Sequence, residues 1–347
     1  MKILNENIGK SSAPFIIAEV SGNHNQSLDR AFEIVRAIKY SGAHAIKLQT
    51  YTADTITLNS KNKEFIINDK NSLWYGKSLY QLYDEAHTPW DWHKPIMDLA
   101  NDLGLICFSS PFDESAVEFL EDLNVPAYKI ASSEIIHLPL IKKVASTKKP
   151  IILSTGMASI SEIDEAIQVI KDEGCDHIAI LKCTASYPSD PNHSNVLTIP
   201  HLRKLFNCEV GLSDHTLGIG VPIAAVSHGA TIIEKHFTLS REDGGVDSAF
   251  SLEPSELKNL VFETNQAWKS LGKISYGPTE TEKTSLKFRR SVYISADVEK
   301  NEKFTYKNLK IVRPSSGLEP KYFDKLIGKK AAKKIKSGTP MSWDLLV

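Results

Sequence analysis

Residues 231–239 read TIIEKHFTL. Thr231, Ile232 and Ile233 are β-branched, as a buried strand prefers. Glu234, Lys235 and His236 then arrive together, before Phe237 resumes the apolar pattern. Burying an unpaired charge is costly. The end of this strand is therefore either solvated or opens onto a site.

Working back along the chain, seven other short apolar runs share its character. They are FIIAEV (15–20), AIKLQ (45–49), LICFS (105–109), AYKIA (127–131), PIILST (150–155), IAILKC (178–183) and CEVGLS (208–213). Amphipathic stretches separate them, among them 28–42, 114–124, 160–174 and 221–229. Fully apolar strands alternating with helices imply parallel βα units. Such units in this length predict an α/β TIM (β/α)8 barrel. The alternative, an open doubly wound sheet, is weakened because no GxGxxG follows the first run.

Two segments break the rhythm. Residues 51–88 form a long insertion containing Trp74, Tyr75, Tyr80 and Tyr83, which reads as either a lid or a packing extension. After residue 280, SVYISADV and KFTYKNLKIVRP replace helical repetition with short strands and turns. The expected domains are a barrel over 1–280 and a small β-rich domain with its linker over 281–347.

Composition narrows the function classes. A net charge of −1 offers no surface for nucleic acid or an anionic membrane. No apolar run approaches the roughly twenty residues that span a bilayer, and MKILNENIGK lacks a signal peptide's apolar stretch. Four cysteines without CxxC spacing fit a reducing cytoplasm, with Cys107 and Cys183 read as small buried hydrophobes.

Barrel active sites sit at the C-terminal ends of the strands. Those ends carry Glu19, Lys47, Gln49, Ser109, Lys129, Ser132, Glu134, Ser154, Lys182, Ser213, His215 and His236. Polar groups thus gather at one end of nearly every strand. His215 and His236 end adjacent strands, and two neutral imidazoles suit a divalent transition metal with open coordination positions. The blander alternative is a pair of structural histidines. Lys47 and Lys129, with Ser132, Ser154 and Ser213, suit a phosphate or carboxylate. Lys–Glu pairs bracing the barrel and a Schiff-base lysine remain open readings of the same lysines.

The segments IAEVSGNHNQSL, IKLQTY, YKIASSE, ILSTGMAS, LKCTASYP, VGLSDHTLG and IEKHFTL together resemble the sialic-acid synthase family. The stretch RSVYISADVEKNEKFTYKNLKIVRPSSGL resembles that family's antifreeze-like (SAF) domain. Within the family, LWYGKSLYQLYDEAHTPWDWH and RPSSGLEPKYFDKLIGKKA are similar to the pseudaminic-acid branch. TASYP carries Ala185 where the neuraminate branch usually has asparagine, which argues against a neuraminate-type sugar. The resemblance implies condensation of phosphoenolpyruvate with an acylamino sugar. It implies His215 and His236 as ligands of a divalent metal, usually Mn²⁺, with Mg²⁺ or Co²⁺ as alternatives. Lys47, Lys129, Ser132, Ser154 and Ser213 would bind phosphoenolpyruvate. Glu134, Ser186, Tyr187 and Asp247 would contact the sugar, with Glu19 and Glu134 as catalytic carboxylates. Arg313 would reach from the tail domain into a partner's pocket, in a domain-swapped homodimer. An N-acetylneuraminate or legionaminic acid synthase, a metal-dependent aldolase, a heptulosonate-type synthase and a non-catalytic surface binder are the competing functions.

Overall fold

Each apolar run does become a strand of one closed parallel barrel: β1 Phe15–Glu19, β2 Ala45–Thr50, β3 Ile106–Pro111, β4 Tyr128–Ile130, β5 Ile151–Ser154, β6 Ile178–Cys183, β7 Glu209–Asp214 and β8 Ile232–His236. The strands follow chain order around the ring, and β8 closes it by pairing with β1 from Ile232↔Phe15 to His236↔Glu19. The computed structural model describes residues 1–347 and divides into two compact units, Met1–Gly272 and Lys273–Val347.

Local sequence signals set the helices. Helix α1 (Leu28–Ser41) starts on Ser27, whose side chain accepts from the Arg30 N–H, and stops at Gly42, with φ 86°. The helix Ile160–Asp172 opens with a Ser159–Glu162 capping box. The helix Pro254–Leu271, after β8, packs against α1 and completes the outer layer.

Two-residue periodicity then sorts every barrel side chain. Ile16, Ile46, Tyr128, Ile151, Ile180, Val210 and Ile233 join the layer between strands and helices. Residues of the opposite parity point into the barrel. At its lower end these are Phe15, Ile17, Ala45, Phe108, Ala127, Ile152, Leu181 and Ile232. An N-terminal hairpin, Lys2–Ile3 paired with Glu6–Asn7, adds Ile3 and Ile8 to this inner cluster. Gly211 belongs to the same tight layer, since a Cβ there would lie 2.3 Å from the Ile232 carbonyl oxygen.

The second unit has its own core of Val292, Ile294, Val298, Phe304 and Leu326. Strands β9 (Ser291–Ile294) and β10 (Leu309–Val312) pair antiparallel across it, and Arg313 follows β10 as an exposed residue. No helix is long and apolar enough to cross a membrane.

Candidate active site

The inward parity that is apolar below becomes polar at the upper end. Two residues beyond Ile17 comes Glu19; beyond Ala45, Lys47; beyond Ala127, Lys129; beyond Ile152, Ser154; beyond Ile232, Glu234 and then His236. All of these polar side chains but the fully buried Glu19 line a cavity of about 380 Å³, together with Ser132, Glu134, Cys183, Tyr187, Ser213, His215 and Asp247. Of the sequence-predicted catalytic and binding residues in this unit, two lie outside the lining: Glu19, buried behind it, and Ser186. Ser186 is exposed, and its hydroxyl donates to the Pro188 carbonyl oxygen at 3.1 Å. Arg313 lies in the second unit.

At the cavity floor, charge is closely paired. Lys47 Nζ sits 2.8 Å from Glu19 Oε2 and 3.0 Å from Glu234 Oε1. Lys129 Nζ lies 3.8 Å from Glu234 Oε1 and donates to Ser154 Oγ at 2.6 Å. Ser213 Oγ donates to Glu234 at 3.2 Å. The bracing Lys–Glu arrangement is therefore realised inside the same cavity. Burial lowers Lys47 to about 8, against the opposing Glu234 carboxylate. Burial pushes Glu234 upward, but Lys129 and Lys47 outweigh it and hold it below the usual carboxylate range. At neutral pH, Lys47 is a cation and Glu234 an anion.

Beside this floor the Gly156 N–H donates to Ser132 Oγ at 3.0 Å, and a Cβ at 156 would fall 2.7 Å from that oxygen. Glycine there lets the backbone amide approach the hydroxyl. Glu134 lies on the 3-10 turn Ser132–Ile136. Burial raises it to about 7, with Lys129 opposing, and its Oε2 has no hydrogen-bond partner.

The two histidines meet at the ends of the adjacent strands β7 and β8, with ring centroids 5.3 Å apart. His215 Nδ1–H donates to the Thr184 carbonyl oxygen at 3.0 Å, which leaves Nε2 free. Burial lowers the basicity of His215, but the neighbouring Cys183 sulfur and Thr184 carbonyl outweigh it and the net shift is upward. His236 is held well below 6.5 by burial and by His215 and the lysines, so it is neutral. Its buried Nδ1 has no hydrogen-bond partner and lies 3.8 Å from Asp247 Oδ2. No group of three or more His, Cys, Asp or Glu side chains is placed to hold a metal. Two imidazoles, one with an orphaned nitrogen and one steered by a carbonyl, fit a divalent ion whose other positions are left for water and substrate oxygens.

Above them lies an aromatic wall. Tyr187 lies tilted against His215, at 4.4 Å between centroids, and Trp74 from the insertion sits 6.1 Å from Tyr187. Trp74 Nε1–H donates to the Val246 carbonyl oxygen at 2.9 Å, beside Asp247. Tyr51, Ile56, Leu82, Tyr83 and Phe112 also line the cavity. The insertion is thus part of the site. Tyr80 instead bonds Asp54 on the surface.

Sequence reasoning noted Glu234 and Gln49 at strand ends without giving either a role, and it passed over Ser21. Glu234 was detectable, because it shares the inward parity of His236. Ser21 and Gln49 link Glu19 to Asp247: Gln49 Nε2 donates to Glu19 Oε1 at 3.1 Å and to Ser21 Oγ at 3.3 Å, and Ser21 Oγ donates to Asp247. Only the fold brings these together. Cys183 is buried as expected, but its sulfur faces the cavity, 4.0 Å from His215 Nδ1.

Comparison with known proteins agrees with this geometry. The NeuB family model matches residues 34–276 and the SAF domain model residues 289–347. The chain is 45% identical over 333 residues to the pseudaminic acid synthase of Helicobacter pylori, covering 95% of this chain and 97% of the relative. It is 36% identical to an N,N'-diacetyllegionaminic acid synthase of Legionella pneumophila, covering 97% and 95%. The solved N-acetylneuraminic acid synthetase of Leptospira borgpetersenii superposes with a TM-score of 0.74 at 31% identity, covering 83% of this chain and 95% of that one. A barrel whose strand ends gather paired lysines, carboxylates and two histidines, followed by a SAF domain, therefore belongs to the NeuB family of phosphoenolpyruvate-dependent nonulosonic acid synthases.

Proposed function

We propose that the protein condenses phosphoenolpyruvate with 2,4-diacetamido-2,4,6-trideoxy-L-altrose, releasing phosphate and a pseudaminic-type nonulosonic acid. The observation that carries the choice of sugar is the apolar wall of Tyr51, Ile56, Trp74, Tyr83 and Phe112 over the cavity. A 6-deoxy sugar with a second acetamido group presents a methyl and an acetyl that such a wall covers. A hydroxylated sugar would leave donors unpaired there. The 45% identity to a pseudaminic acid synthase, against 36% to a legionaminic counterpart, supports the same reading.

Lys47, Lys129, Ser132, Ser154 and Ser213 bind phosphoenolpyruvate. Their charges and hydroxyls neutralise its phosphate and carboxylate and keep stabilising the phosphate as its C–O bond breaks. Glu134, Tyr187 and Asp247 hold the open-chain sugar so that its aldehyde carbon faces C3 of phosphoenolpyruvate. Carbon–carbon bond formation leaves a cationic C2, which water attacks before phosphate departs. In this reading Glu19, which Lys47 and Gln49 hold behind the cavity lining, takes the proton of that water. His215 and His236 hold the divalent ion, Mn²⁺ in this reading, which when bound supplies Lewis acidity toward the aldehyde oxygen. Arg313 completes the pocket of the partner in a homodimer.

The experiment is a product assay with phosphoenolpyruvate and each of two sugars. The expected result is a higher kcat/KM for the altrose sugar than for N-acetylmannosamine. Equal or reversed values would overturn the substrate assignment.

A further inference from the structure

Lys235 is the outward-facing member of the Glu234–Lys235–His236 triplet, with a side chain fully shielded from solvent. Its cross-strand partner on β7 is Asp214, which it meets at 2.7 Å. Both lie on the parity that elsewhere carries Ile, Leu and Val into the helix layer. A buried ion pair in such a place is often no more stabilising than apolar residues of equal volume. Its use lies in what else the ammonium touches. Lys235 Nζ also donates to the carbonyl oxygens of Thr216, at 2.5 Å, and Gly218, at 3.0 Å. An ammonium has three donors, and each is spent on residues 214–218. Asp214 closes the knot by accepting from the Thr216 N–H at 3.1 Å and the Thr216 hydroxyl at 2.9 Å. His215 lies between the two knotted residues, and the Ser189 N–H holds its carbonyl oxygen at 3.0 Å.

We infer that Lys235 is a positioning residue: by gripping Asp214 and the Thr216 and Gly218 carbonyls, it fixes His215 opposite His236 and so sets the affinity of the pair for a divalent metal. The inference rests on the proposed metal-holding role of the two histidines. Without Lys235 the Thr216 and Gly218 carbonyls lose their shared donor, and His215 keeps only the Asp214–Thr216 turn and its Thr184 and Ser189 contacts. The ring is then held less firmly opposite His236. Loss of a residue that orients a metal ligand characteristically weakens binding by about 10–100-fold.

The test titrates Mn²⁺ alone into the metal-stripped full chain, following free Mn²⁺ by its paramagnetic resonance signal. Thermal unfolding of each metal-free variant verifies that it is folded. Lys235→Met should weaken Mn²⁺ binding at least about tenfold. The double swap Lys235→Met with Asp214→Leu should weaken it as much, because the two carbonyls stay ungripped. A purely structural ion pair would tolerate that swap. Mn²⁺ affinity within about threefold of wild type in either folded variant overturns the inference. If Lys235→Met does not fold, the double swap decides; if neither folds, the pair is a folding requirement and the assignment fails. Wild-type and His236→Ala protein separate the two levels. If wild type binds no Mn²⁺, or His236→Ala binds it as wild type does, the two-histidine site itself is wrong.

Discussion

Lys47 and Glu234, on barrel strands separated by one other, meet in a buried ion pair of 3.0 Å. Glu19 and Lys129 extend the pair into a four-charge cluster, with Lys47–Glu19 at 2.8 Å and Lys129–Glu234 at 3.8 Å. Glu234→Gln would leave two buried ammoniums facing a neutral amide. Removing one partner of a buried pair destabilises by about 3–5 kcal/mol. A clear fall in the melting temperature of the ligand-free protein is expected. Phosphoenolpyruvate, supplying the missing negative charge, should raise it more than it raises wild type. An unchanged melting temperature would remove Glu234 from the centre of the cluster.

Glu134 gives a pH signature. Burial raises it to about 7 from an ordinary 4.5, with Lys129 opposing, so the fold favours the neutral carboxyl. Its stabilising contribution is complete below 4.5 and is lost as pH climbs through about 7. Wild-type melting temperature should therefore fall more steeply between about pH 5 and pH 8 than that of Glu134→Gln, which has no proton to lose. Parallel curves for the two proteins would refute the buried-acid reading.

Lys129 donates to Ser154 Oγ at 2.6 Å inside the cavity. Lys129→Ala should impair use of phosphoenolpyruvate more than binding of the sugar. One charge-assisted contact is worth about 1.5–3 kcal/mol, which corresponds to roughly tenfold or more in kcat/KM. Steady-state kinetics with each substrate varied in turn would check it. A defect confined to the KM of the sugar would reassign the lysine.

Arg313 in trans is tested by complementation. Arg313→Ala keeps an intact barrel site, and His236→Ala keeps an intact arginine. Each homodimer should be nearly inactive. A mixed dimer pairs the first barrel with the second protein's arginine, so half its sites should work. Hybrid dimers, shown to form yet as inactive as their parents, would place Arg313 in cis or outside the reaction.

The eight strands, and which end of each carries chemistry, could be read from the amino-acid order alone. Strand and helix periods are local, and a barrel of parallel βα units places its strand ends together whatever the side chains are. His215 and His236 become neighbours by that logic alone. The tertiary structure decided the rest through contacts between residues far apart in the chain. Glu234 and Lys47 are 187 positions apart and Ser21 and Asp247 are 226, so no local pattern shows that one charge neutralises the other. Parity alone separates inward Glu234 from outward Lys235, but only the packed loop 214–218 shows what Lys235 grips. The insertion between β2 and β3 has no period that points to the cavity. Trp74 reaches it because its indole N–H is satisfied by the Val246 carbonyl, a partner that closure of the barrel supplies.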